Sequence, residues 1–238
     1  MRLRIERHLP CLLFMSCFSL AVMACAHHEQ LAKRGGIRSH AVDMIVLHAI
    51  SGPKCDENGR VQFTGAPPVD GNDAEFYLAK MVADQRQVSI HYVIGRNGDR
   101  AVGVPENLIA YHAGNPDVNG RSIGIELVNN GDGKDPFPPA QIDALVKLIK
   151  ELRSRYSISL AGIVRHADVD QRVCVCPWPD QAMPQGTPAV ATAYARRSDP
   201  GAAFPFDQVR AAVAFPGETL GQLDFVRLKG LASKVACS

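Results

Sequence analysis

The sequence predicts one α/β domain, built on a single mixed central β-sheet with helices on both faces. Three observations predict it. Short apolar, β-branched runs alternate along the chain with longer segments of helical period, the pattern of strands interleaved with covering helices. Met44-Ile45-Val46-Leu47 is apolar at every position, as a strand buried on both faces requires. A chain of 238 residues that is 46% hydrophobic and 21% charged has the apolar content of one globular core and not that of a disordered or fibrous protein.

The elements follow in order. Residues 1–24 read as an export signal: basic Arg2, Arg4 and Arg7, an apolar run over 11–24, then small residues around Cys25. That run is shorter than the roughly 20 apolar residues of a membrane-spanning helix. Val22-Met23-Ala24-Cys25 resembles a bacterial lipobox, which would place a lipid on Cys25 and anchor the chain to the outer membrane; Ala24-Cys25-Ala26 also suits an ordinary signal peptidase. Either route leads to the periplasm. Residues 25–41 are a polar tether, 42–213 the domain, and 214–238 a weakly patterned tail.

Within the domain, the 44–47 strand ends at His48, and a Gly-, Pro- and Asp-rich loop runs over 51–72. Asp73 can cap a helix through Phe76, Leu78 and Met81 to about residue 85. Two strands, 91–96 and 101–104, flank Asn97-Gly98 and should pair as an antiparallel hairpin. A strand over 122–128 and a loop over 129–139 precede the clearest helix, where Ile142, Leu145, Val146, Leu148, Ile149, Leu152 and Tyr156 recur at helical spacing. A strand over 160–164 stops just before Arg165 and His166. Residues 170–196, with Pro177, Pro179, Pro184 and Pro188, have no period and read as an inserted loop; 206–213 is a short helix.

The formal charge of +2 disappears with Arg2, Arg4, Glu6 and Arg7, leaving a neutral mature chain with no electrostatic footprint for nucleic acid. Of seven cysteines, Cys11 and Cys17 leave with the signal. Cys55, Cys174, Cys176 and Cys237 remain beside Cys25 and can form two disulfides in an oxidising compartment. Three connectivities are open. A Cys174–Cys176 bridge would close a strained loop, so pairing with Cys55 and Cys237 is preferred.

Chemistry concentrates where strands end. His48 and His166 each follow a buried-strand pattern, the place where α/β sheets open into a crevice. Ser122, Gly124 and Glu126 alternate with Ile123, Ile125 and Leu127, which puts Glu126 on the face opposite the large apolar side chains.

Six tags occur in one order: Met44-Ile-Val-Leu-His48, Val88-Ser-Ile-His-Tyr-Val-Ile94, Ala110-Tyr-His-Ala-Gly114, Ser122-Ile-Gly-Ile-Glu-Leu127, Arg165-His-Ala-Asp168 and Asp199-Pro-Gly-Ala-Ala-Phe-Pro-Phe206. Over residues 42–213 this resembles the type 2 N-acetylmuramoyl-L-alanine amidases, whose superfamily includes lysozyme-type phage amidases and peptidoglycan recognition proteins. The resemblance implies that fold and a Zn2+ ion held by His48, His166 and a third ligand from the segment that follows. Asp199 is preferred, because Asp-Pro-Gly followed by Phe-Pro resembles the family's closing tag; Cys176, in a Cys-Pro pair, is the alternative. Three protein ligands leave a fourth position for water, as catalytic zinc requires.

Glu126 matches the family's catalytic glutamate, implied to move protons beside that water. Arg197 stands where the family usually has lysine; it can steady an oxyanion but gives up no proton near neutral pH. Tyr111 and His112 occupy a tag that usually reads Ala-Trp-His-Ala-Gly and are assigned to the substrate cleft. His91 reads as structural, and Asp168 either orients an imidazole or serves a turn. The implied reaction is hydrolysis of the amide between N-acetylmuramic acid and L-alanine in peptidoglycan or muropeptides. A non-catalytic peptidoglycan-binding module of the same fold and a zinc peptidase cutting within the stem peptide are the rival readings.

Overall fold

The computed structural model describes residues 35–55, 61–64, 74–83, 88–131, 134–170, 173–174, 194–195, 197 and 199–220. The expected export signal, Cys25, Cys176, Cys237 and most of 170–196 lie outside the described residues, and with them the expected lipid site and disulfide pairing. Among the described residues no helix is long and apolar enough to cross a membrane.

The central sheet contains β1 (Met44–Ala49), β4 (Tyr92–Ile94), β5 (Arg100–Val102), β6 (Ser122–Leu127) and β7 (Ile163–Arg165), in the order β5-β4-β6-β1-β7. β1 runs parallel to β6 and β7, and β4 parallel to β6; β5 is the antiparallel edge, so the sheet is mixed. β1 is buried from end to end because it has a neighbour on each side and a covered face above and below.

On one face Ile45, Leu47, Ile123, Ile125, Leu127 and Ile163 meet α3 (Pro139–Tyr156) and α5 (Phe206–Val213) through Leu145, Leu148, Ile149, Leu152, Val209 and Val213. The opposite face carries two smaller clusters. Val93 and Ala101 pack with Tyr77 and Leu78 of α1 (Ala74–Ala83). Val46 and Val164 pack with Val118 of α2 (Pro116–Arg121) and Val169 of α4 (His166–Val169). Helices therefore cover both faces. Between these two clusters the second face carries polar side chains.

Local chemistry fixes the element ends. The hairpin joining β4 to β5 turns at Gly98, whose φ is +88° and where a Cβ would come within 2.7 Å of the Ala140 carbonyl oxygen, so both the conformation and the space demand glycine. Asp99 Oδ2 accepts the first amide of α1, from Ala74, at 2.7 Å. Asn115 caps α2 by accepting from the amides of Asp117 and Val118, with Pro116 in the first turn.

The structure adds elements that the sequence pattern leaves out. β2 (Gly52–Cys55) and β3 (Val61–Thr64) pair antiparallel inside the expected loop, where Gly52 and Pro53 read as turn residues. The expected strand over 160–164 is a 3-10 turn, Leu160–Gly162, followed by β7; the Ser159 hydroxyl accepts the Gly162 amide at 3.1 Å and competes with strand geometry. Two residues at each side of the expected insertion, β8 (Val173–Cys174) and β9 (Tyr194–Ala195), pair antiparallel.

Candidate active site

The site lies on the second sheet face at the carboxyl ends of β1, β6 and β7. His48 sits inside β1, and the parallel register sets it beside Glu126 of β6. His166 follows β7 directly as the first residue of α4, a turn closed by Arg165 and Asp168: the Arg165 amide donates to Asp168 Oδ2 at 3.0 Å and its guanidinium grips the same carboxylate at 2.8 and 2.9 Å. Asp168 thus serves the turn. Asp199 reaches the cluster from the far side of the 170–196 segment, with its carbonyl accepting the Ala167 amide at 3.2 Å.

The structure brings His48, His166 and Asp199 together, with one potential ligand atom from each lying within 4.8 Å of the others. Asp199 Oδ2 is 3.1 Å from His166 Nδ1 and 3.4 Å from His48 Nδ1. The two imidazole rings are 4.4 Å apart, and all three residues are buried. Cys176, the alternative third ligand, lies outside the described residues.

The electrostatics follow from that enclosure. Burial, reinforced by the neighbouring His166, lowers His48 to about 4 and keeps its ring neutral near pH 7. Burial alone would raise Asp199, but His166, by its charge and hydrogen bond, and the adjacent His48 outweigh it and hold the carboxyl well below the usual range. Burial, with the Asp199 charge added, raises Glu126 to about 8 against the opposing pull of Arg197. Among the described residues Glu126 Oε2 is buried without a hydrogen-bond partner, an unusual state for a carboxyl oxygen.

His112 and Tyr111 part company. Tyr111 is 43% exposed, whereas His112 is 8% exposed, its Nδ1 2.9 Å from His48 Nε2 and its Nε2 3.2 Å from the Ser122 hydroxyl. His91 accepts the Gly124 amide on Nδ1 at 2.9 Å, and its Nε2 faces the Leu108 carbonyl at 3.2 Å, which is a structural use of the ring. Three participants escape a reading of the sequence: Ser122, Gly124 and Asp170, whose Oδ2 lies 3.5 Å from His166 Nε2. Ser122 and Gly124 share Glu126's side of β6, so the alternation that placed Glu126 also held the signal for them.

Two imidazoles and a carboxylate, closely spaced and buried, with Asp199 Oδ1 lacking a hydrogen-bond partner among the described residues, suit a tetrahedral divalent cation with one open position. The residues therefore fit the zinc implied by the sequence resemblance. A profile of the family described as N-acetylmuramoyl-L-alanine amidase matches residues 38–179, more than half of the chain. The chain belongs to this family.

Individual relatives of this amidase-family chain agree. It is 35% identical over 144 residues to N-acetylmuramoyl-L-alanine amidase AmiD of Escherichia coli, a match covering 52% of this chain and 44% of AmiD. It is 30% identical over 156 residues to N-acetylmuramoyl-L-alanine amidase CwlL of Bacillus licheniformis, covering 61% of this chain and 39% of CwlL. The chain thus spans less than half the length of both. A solved structure of E. coli AmiD, a complex with the substrate anhydro-N-acetylmuramic acid-L-Ala-D-gamma-Glu-L-Lys, superposes with a TM-score of 0.48 at 28% identity, covering 72% of this chain and 57% of that one.

Proposed function

We propose that the chain is a zinc-dependent N-acetylmuramoyl-L-alanine amidase that hydrolyses the amide between N-acetylmuramic acid and L-alanine. The observation that carries this reading is the buried His48, His166 and Asp199 cluster next to Glu126, within a chain of the amidase family. His48, His166 and Asp199 would hold the ion. Zinc, when bound, supplies a Lewis acid for the amide carbonyl and lowers the pKa of a water toward about 7.

The remaining work falls to the chain's own side chains. A dication held there would offset the Asp199 charge that, after burial, helps raise Glu126, and so would favour the carboxylate that accepts a proton from the attacking water. Glu126 then returns the proton to the departing nitrogen of L-alanine. Arg197, whose charge reaches both Glu126 and His48, steadies the negative charge developing on the carbonyl oxygen. Tyr111, exposed beside the buried His112, is read as a contact for the sugar or the stem peptide.

The substrate class follows the relatives: the AmiD complex contains an anhydro-muropeptide, and we read this chain as acting on peptidoglycan or on muropeptides released from it. Export to the periplasm, with Cys25 as a lipid anchor at the outer membrane, is part of the same proposal and rests on the sequence of residues 1–25. The test is mass spectrometry of products from sacculi and from soluble muropeptides. Free sugar with intact stem peptide supports the amidase; shortened stem peptides would indicate a peptidase, and binding without products a recognition module.

A further inference from the structure

His48 and His166 present Nδ1 toward Asp199, but their other ring nitrogens meet different partners. His166 Nε2 faces the Asp170 carboxylate, while His48 Nε2 faces a second imidazole, His112, at 2.9 Å. Two ring nitrogens at that distance share one proton. The remaining distances decide which ring holds it. His48 Nδ1 stands 3.4 Å from Asp199 Oδ2, too long for a good hydrogen bond, whereas His166 Nδ1 at 3.1 Å makes one to the same oxygen. The proton order that satisfies most atoms therefore puts a hydrogen on His48 Nε2, donated to His112 Nδ1, and another on His112 Nε2, donated to the Ser122 hydroxyl at 3.2 Å.

The surroundings hold His112 in that pose. A Cβ at Gly124 would lie 2.7 and 2.8 Å from two His112 ring carbons and 2.6 Å from Ile90 Cδ1, so the bare β6 backbone provides the slot that the ring occupies. Asn119 Oδ1 accepts the amides of His112 and Ala113 at 3.1 and 2.8 Å, fixing the backbone from which the ring projects. Ser122, Gly124 and Glu126 occupy alternate positions of one strand, so the residue that anchors His112, the one that makes room for it and the carboxyl beside His48 all share one face.

We infer that His112 is a positioning residue: it accepts the Nε2 proton of His48, locks that ring in the tautomer whose Nδ1 lone pair faces Asp199 and His166, and is itself held by Ser122 and the Gly124 slot. The inference rests on the metal-site reading above. Partners of this kind on a ligating histidine are typically worth about 10- to 100-fold in metal affinity.

Two measurements test it. Nitrogen NMR of the metal-free protein reads the tautomer of His48 directly and needs no ion. A proton on Nε2 is expected, and a proton on Nδ1 overturns the inference. Zinc affinity, measured by chelator competition, is expected to fall about 10- to 100-fold in His112→Leu. It should recover in part in His112→Gln, whose amide oxygen can accept the same proton, and fall also in Gly124→Ala, which keeps every polar group while crowding the His112 ring and the Ile90 methyl. Unchanged affinity in folded His112→Leu and Gly124→Ala overturns the inference. If the unaltered protein takes up no zinc while His48 carries its proton on Nε2, the metal reading fails and the tautomer lock stands.

Discussion

His48 and Glu126 stand opposite each other in the parallel register of β1 and β6. Neighbouring strands lie about 4.8 Å apart, so a candidate metal ligand and a candidate proton carrier leave the same face of the sheet one strand spacing from each other. The backbone ladder fixes that proximity, and no loop has to close to create it.

Glu126→Gln keeps the shape of the side chain and removes its capacity to take a proton. It is expected to bind zinc as the unaltered protein does and to lose about 100- to 10,000-fold in turnover. Metal content and product release from a soluble muropeptide, measured on one preparation, check this. Undiminished turnover would remove Glu126 from the mechanism.

Arg197→Ala is expected to lower turnover by about 100- to 1000-fold, the usual cost of one oxyanion donor, with little change in metal content. Arg197→Lys should recover part of the loss, because a cation remains at the site although the planar fork of donors does not. Equal rates for Arg197→Ala and the unaltered protein would place this residue outside the reacting centre.

The stability of the metal-free protein should crest near pH 6.5. Glu126 is raised from 4.5 to about 8, so the folded state retains a proton that the unfolded chain releases, and stability falls as pH climbs through that interval. His48 and His91 are lowered from 6.5 to about 4 and about 3, so below pH 6.5 the unfolded chain takes up protons that the folded state rejects. Between 4.5 and 6.5 the two imidazoles outweigh the one carboxyl. Urea midpoints across pH should show both arms, and Glu126→Gln should flatten the alkaline one. A wild-type curve level above pH 6.5 would contradict the burial of this carboxyl.

Arg153 of α3 is buried and satisfies carbonyls at the other end of the domain. Its Nε donates to the Ile158 carbonyl at 2.9 Å, its Nη1 to the Val213 carbonyl, and its Nη2 pairs with Glu218 at 2.5 Å. Arg153→Ala leaves those acceptors without donors and empties the space of a long side chain. A loss of about 3 kcal/mol is expected, read by chemical denaturation, with activity per folded molecule unchanged.

Much of the fold is legible in the sequence because its signals are local. The period of Leu145, Leu148, Ile149 and Leu152 marks α3 from end to end, and Asn97-Gly98 marks the hairpin. What escapes depends on partners distant in the chain. β2 and β3 are short, and Gly52 and Pro53 form a strand only because Thr64 and Phe63 pair with them. The same contrast runs through the site. His48 and His166 can be picked out because each follows a buried-strand pattern, whereas the pairing of His48 with His112 spans 64 positions and no spacing rule reports it. Asp168 and Asp170 both stand near His166 in the sequence, and only the turn geometry shows that the first grips Arg165 while the second faces the imidazole.

In the proposed mechanism the His48, His166 and Asp199 cluster holds the ion on which amide hydrolysis depends. Its most direct test is the release of intact stem peptide from an anhydro-muropeptide by the folded mature protein, followed before chelation, after chelation and after zinc is returned. Activity, loss and recovery are expected in that order, with no recovery in His166→Ala. Sustained hydrolysis by folded protein shown to be free of metal would contradict this mechanism.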